Sequence, residues 1–165
     1  MSLIVVIVTA LSGLIATVFW AAAKFIELKV TEREDDLLMG RLFYKIAGKS
    51  FDSLQHKSKV GMDLLAKFIY GLIWSIPIPI LFFQMQPRSF SALFGLVVIY
   101  LIVFLILDSL IHYAFKIGTP AWELWGLHPK RVLLNILYSI IYCTAGVFAF
   151  IGLAYTYVVI FLINQ

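Results

Sequence analysis

The sequence predicts an all-α polytopic membrane protein: four transmembrane helices with an amphipathic cytoplasmic loop between helices 1 and 2. Three observations predict it. Of 165 residues, 62% are hydrophobic and 13% charged, whereas soluble globular domains are about half apolar and about a quarter charged. Mean hydropathy is +0.99, which leaves too little polar surface to cover the chain in water. The apolar residues also gather into four stretches, each long enough for the roughly 20 helical residues that cross a hydrocarbon layer.

The spans fall at about residues 3–23, 60–83, 90–115 and 132–163, all within a single domain. Ala21-Ala22-Ala23 ends the first and superficially resembles a signal-peptide cleavage site. No basic segment precedes it, and the apolar stretch is longer than a usual signal core, so a retained helix is expected. The second span contains Pro77 and Pro79. Each proline lacks an N–H and obstructs a carbonyl one turn earlier, which predicts a kink or unwound turn near Trp74-Ser75-Ile76. The fourth span is too long to stand upright and is expected to tilt, kink or project from the bilayer.

Between the first two spans, residues 25–59 carry a charge run, Thr31-Glu32-Arg33-Glu34-Asp35-Asp36, and then an amphipathic segment. Leu38, Leu42 and Ile46, with Met39 and Phe43, share one helical face, and Arg41, Lys45 and Lys49 another. Two placements are open: in the headgroup plane, or packed as a hairpin against the bundle or a partner.

The formal net charge is +4. Twelve of the thirteen basic residues belong to the first and third loops with their helix ends, leaving Arg88 opposite. The positive-inside bias therefore places loops 1 and 3 in the cytoplasm and both termini outside, in what is expected to be a bacterial inner membrane. Such an excess contacts anionic headgroups, so membrane lipids are expected partners. No nucleic-acid-binding motif accompanies the charge, and no nucleic-acid partner is expected.

Helices in a bilayer associate through small residues that allow close approach. Gly13, Thr17 and Ala21 form such a series on the first span; Ala145, Gly146, Ala149 and Gly152 form a patch on the fourth.

Ionisable groups at membrane depth are expensive, which makes them functional candidates. Asp108 lies in the cytoplasmic half of the third span, with His112 four residues later on the same face. Lys67 enters the second span at matching depth, Asn135 sits one turn into the fourth, and Lys24 ends the first. These residues are expected to crowd the cytoplasmic third of the bundle. One reading is a proton- or ion-handling site, with Asp108 as carboxylate and His112 titrating near neutral pH. The simpler reading is an ion pair from Lys67 to Asp108, with His112 capping a helix near the interface.

The third loop contains Trp122, Glu123, Trp125 and His128. Thr119 before Pro120 suits a helix start, and two tryptophans suit a short helix at the cytoplasmic surface. Glu123 and His128 are placed to pair there or to contact a partner.

Several function classes lack their signatures. No Gly-Lys-Ser/Thr phosphate loop, His-Glu-x-x-His, Gly-x-Ser-x-Gly or dinucleotide fingerprint occurs. The single Cys143 matches no zinc or redox spacing. Asp108 and His112 supply two ligands, and His128 would need the third loop to fold back. No metal, cofactor or enzymatic activity is expected.

Gly13-Leu14-Ile15-Ala16, Phe68-Ile69-Tyr70-Gly71 and Gly118-Thr119-Pro120-Ala121-Trp122-Glu123-Leu124 occur in an order that resembles the YagU-like family of small bacterial inner-membrane proteins. The resemblance implies a fold and no defined reaction. The chain departs from that pattern around Ala66-Lys67 and again around Asn135 to Tyr138, where the family places histidines. Its basic bias also implies the opposite orientation.

Small size and apolar helix faces predict a non-catalytic accessory or scaffolding subunit of a larger membrane complex, partnered by other subunits or by itself. The alternative is a small oligomeric ion- or proton-coupled transporter or channel using Asp108, His112 and Lys67. That alternative requires a water-accessible cavity reaching Asp108.

Overall fold

The apolar stretches become long helices, and the segment between the first two becomes a short one. In a computed structural model, which describes residues 3–31, 37–115 and 129–163, the order is α1 (Leu3–Thr31), α2 (Leu38–Ile46), α3 (His56–Ser75), α4 (Pro77–Met85), α5 (Phe90–Phe115) and α6 (Pro129–Ile163). No strand occurs among the described residues. Among the described residues, four helical spans are long and apolar enough to cross a membrane: Leu3–Val30, Lys57–Met85, Phe90–Phe115 and Val132–Ile160.

α1 continues eight residues past the expected end at Ala23, through Lys24, Glu27 and Lys29. Charge ends an apolar count but does not end a helix. Lys and Glu are good helix formers, and Lys29 lies in the last turn, where a cation favours the helix dipole. The connection is thus shorter than 25–59. At 29 residues α1 is roughly 43 Å long, beyond the roughly 30 Å hydrocarbon thickness.

The two prolines divide the second span as expected, at Ile76. Ile76 keeps right-handed helical dihedrals (φ −56°, ψ −41°), so the break is a kink and not an unwound loop. Pro77 cannot donate to the Ile73 carbonyl, and the Ile76 N–H takes that place at 3.2 Å. Tyr100 of α5 donates its hydroxyl to the Trp74 carbonyl beside the break. After α4, Gln86 turns left-handed (φ 43°) before Pro87. The Ser89 hydroxyl then accepts the Ala92 N–H at 3.2 Å and caps α5.

α1 packs chiefly on α6 and α3, and α5 packs on α6 and α4. The α1–α3 crossing is close. A Cβ at Gly71 would lie 1.8 Å from Thr17 Oγ1, and one at Gly13 would lie 2.7 Å from Ser75 Cβ. The expected Gly13/Thr17 face therefore meets Gly71 and Ser75 of α3, a matching small-residue pair with four-residue spacing. On α6, Gly146 meets Ile78 and Ala16, while Gly152 faces open space. The core between helices is aromatic: Trp74 packs at a tilt against Phe104, centroids 4.8 Å apart, and Phe104 lies 5.4 Å from Tyr142. Large apolar side chains such as Phe19, Phe94, Ile102 and Ile106 face outward. Lipid accommodates them where water would not.

α2 packs against the bundle. It lies against α3 and touches α5, burying Met39 and Leu42, while Arg41, Lys45 and Lys49 stay exposed. Its far end stops at Gly48, whose φ of 66° only glycine adopts without strain. Phe51 folds back beneath α2, edge-on to Tyr44 at 5.6 Å. Gly40 has no side chain to obstruct it, since a Cβ there would lie 2.7 Å from the Phe51 ring.

Candidate functional site

The antiparallel course of the long helices decides which polar residues meet. Lys24 lies toward the end of α1, Asp108 toward the end of α5, Lys67 midway along α3 and Asn135 near the start of α6. Helices that alternate in direction bring these positions to similar depth. All four line one cavity of about 130 Å³ inside the bundle. Thr17, Gly71, Phe104 and Tyr142 also line it, and α2 contributes Met39.

Asp108 is half-buried and accepts a hydrogen bond from the Tyr70 hydroxyl of α3. A carboxylate on an otherwise apolar helix needs such a donor, because an unpaired polar group in hydrocarbon costs several kcal/mol. Tyr70 is itself held edge-on to Trp74 at 5.7 Å.

Lys67 pairs with Asp63, one turn earlier in α3, at 2.6 Å. Its ammonium also sits 5.8 Å from the Trp20 ring centroid, within cation–π range. Asp63 is 1% exposed, and its other oxygen accepts the Gly40 N–H at 2.8 Å. That N–H belongs to the first turn of α2, where the helix has no internal acceptor. Leu37, at the N-cap position, offers no capping oxygen. Asp63 therefore caps α2 from another helix and links it, through Lys67, to the cavity.

Ser139 donates to the Asn135 carbonyl at 2.8 Å within α6, and Asn135 is the exposed member of the lining. Tyr142 donates to the Gly71 carbonyl at 2.6 Å, which ties α6 to α3 beside the Thr17 contact of α1.

Of the residues singled out in the sequence, the structure brings together Asp108, Lys67, Asn135 and Lys24. His112 belongs to α5, but its side chain lies outside the described residues, as do Trp122, Glu123, Trp125 and His128. The sequence reading missed Asp63 and Tyr70. A signal for Asp63 existed, because an acid four residues before a lysine on one helix is a pairing pattern. Tyr70 had none, since its partner is 38 residues away. No group of three or more His, Cys, Asp or Glu residues suited to a metal occurs among the described residues.

Comparison with protein-family models, curated proteins and solved structures finds no match.

Proposed function

We propose that this chain is a small ion- or proton-coupled carrier of the membrane, with Asp108 as its coupling carboxylate. The observation that carries the reading is the cavity of about 130 Å³ that Asp108 shares with Lys67, Lys24 and Asn135. Carboxylates at membrane depth that face a polar cavity are the usual elements of proton and ion relays. The accessory-subunit expectation draws on size and apolar faces, which many membrane proteins share. The cavity is the specific feature, and it favours solute handling. Tyr70 would hold Asp108 in one orientation and release it when a proton or cation takes the place of the hydroxyl. The basic bias of the loops supports an orientation with loops 1 and 3 in the cytoplasm.

The test is flux in vesicles reconstituted with purified protein under an imposed pH or cation gradient. Flux above that of empty vesicles, cut at least tenfold by Asp108→Asn, is the expected result. Equal flux for the parent and the Asn variant sinks the reading.

A further inference from the structure

The second span runs from Lys57 to Met85, 29 residues. As helix this is roughly 43 Å, about the thickness of a bilayer with both headgroup layers. Its first turns therefore lie at headgroup depth. α2 is fastened to those turns. The Asp63 carboxylate accepts the Gly40 N–H at 2.8 Å, and the Lys59 ammonium lies 5.9 Å from the ring centroid of Phe51, the residue folded beneath α2. Helix α2, the turn at Gly48 and the start of α3 thus form one surface at the end of the bundle.

That surface is basic. Arg41, Lys49 and Lys57 are exposed, with Lys45 exposed beside them, and Asp52 is the acid among the described side chains from Leu37 to Lys59. Hydrocarbon accompanies the cations, since Ile46 of α2 and Val60, Leu64 and Leu65 of α3 are exposed as well. A phospholipid answers both features: its phosphate meets the cations and its acyl chains cover the apolar side chains. A guanidinium takes phosphate oxygens in a bidentate fork, and basic side chains at the membrane surface are drawn to an anionic leaflet. Nucleic acid or an acidic peptide would meet the cations and leave the hydrocarbon unanswered.

We infer that this surface binds anionic phospholipids of the adjoining leaflet, with Arg41, Lys49 and Lys57 meeting the phosphates. The inference is independent of the carrier reading. It gives α2, which also lines the cavity through Met39, a hold on the membrane beside its hold on α3. In the sequence, Glu32, Glu34, Asp35 and Asp36 precede α2 and are the competing anions.

Full-length protein would be reconstituted into vesicles of equal parts phosphatidylglycerol and phosphatidylcholine, then extracted in mild detergent. Native mass spectrometry counts the lipids each molecule retains. The expected result is at least tenfold more phosphatidylglycerol than phosphatidylcholine. The triple variant Arg41→Gln, Lys49→Gln, Lys57→Gln should lower that ratio at least fivefold. A matched triple variant, Lys29→Gln, Arg88→Gln, Lys130→Gln, loses the same charge from exposed positions elsewhere and should keep the ratio. Equal retention of the two lipids by the parent overturns the inference and assigns the cations to the preceding acids. An equal fall in both triple variants overturns it too, because net charge and not this surface would then select the lipid. Should the first triple variant fail to fold, the single variants decide, and an unchanged ratio in all three sinks the inference. Lipid retention is the readout and not flux, so either outcome leaves the carrier reading where it stands.

Discussion

Asp63 of α3 accepts the Gly40 N–H of α2 at 2.8 Å and pairs with Lys67 at 2.6 Å. One buried carboxylate thus caps a peripheral helix and neutralises a lysine of the cavity. Asp63→Asn keeps an acceptor for Gly40 and loses the ion pair; Asp63→Ala loses both. Denaturation of the purified variants should rank them parent, Asn, Ala in falling stability. Removing one partner of a buried pair typically costs about 3–5 kcal/mol. Equal stability of parent and Ala variant would show that the cap and the pair contribute nothing.

The α1–α3 contact makes a second prediction. Gly71→Ala places a methyl 1.8 Å from Thr17 Oγ1, so the helices must separate. Overpacking of this kind costs about 1–3 kcal/mol. Thr17→Ala in the same chain should recover part of the loss, because it removes the clashing oxygen. A double-mutant cycle on melting temperature reads the coupling. Strict additivity would mean that the two residues do not meet.

Tyr70→Phe removes the hydroxyl that Asp108 accepts. Hydrogen bonds to charged groups contribute about 1.5–3 kcal/mol, so thermal stability should fall by an amount in that range. If Asp108 is the coupling carboxylate, the pH dependence of flux should move as well. A stability loss with an unchanged flux profile would confine Tyr70 to a structural role.

Loop orientation predicts opposite labelling of two exposed positions, Lys49 between α2 and α3 and Arg88 between α4 and α5. Lys49→Cys should react with a membrane-impermeant maleimide only in inside-out vesicles, and Arg88→Cys only in right-side-out ones. The native Cys143 is 0% exposed and contributes little background. Reversed labelling would invert the orientation, and labelling of both from one side would refute the four-span topology.

Much of the fold is legible in the sequence because hydrocarbon imposes a single length scale. Leu3, Phe90 and Phe115 fall on the boundaries expected from apolar counting, and Pro77 marks the kink because its missing N–H is a local fact. α1 runs on past Ala23 for a related reason: from Lys24 to Thr31 the residues stay helical, and hydropathy does not register helix propensity.

The sequence by itself therefore determined the four spans, the broken second span, the basic bias of its loops and the candidacy of Asp108 and Lys67. These follow from composition, spacing and single-residue chemistry. Tertiary structure decided the partners. It set Tyr70 against Asp108, Asp63 against Gly40, and Gly71 and Ser75 against Gly13 and Thr17. It also laid α2 on α3. The physical reason is that an apolar helix satisfies its own backbone and is compatible with lipid on every face. Which face turns inward is settled by close packing and by the need of a few buried polar groups to find one another across the bundle.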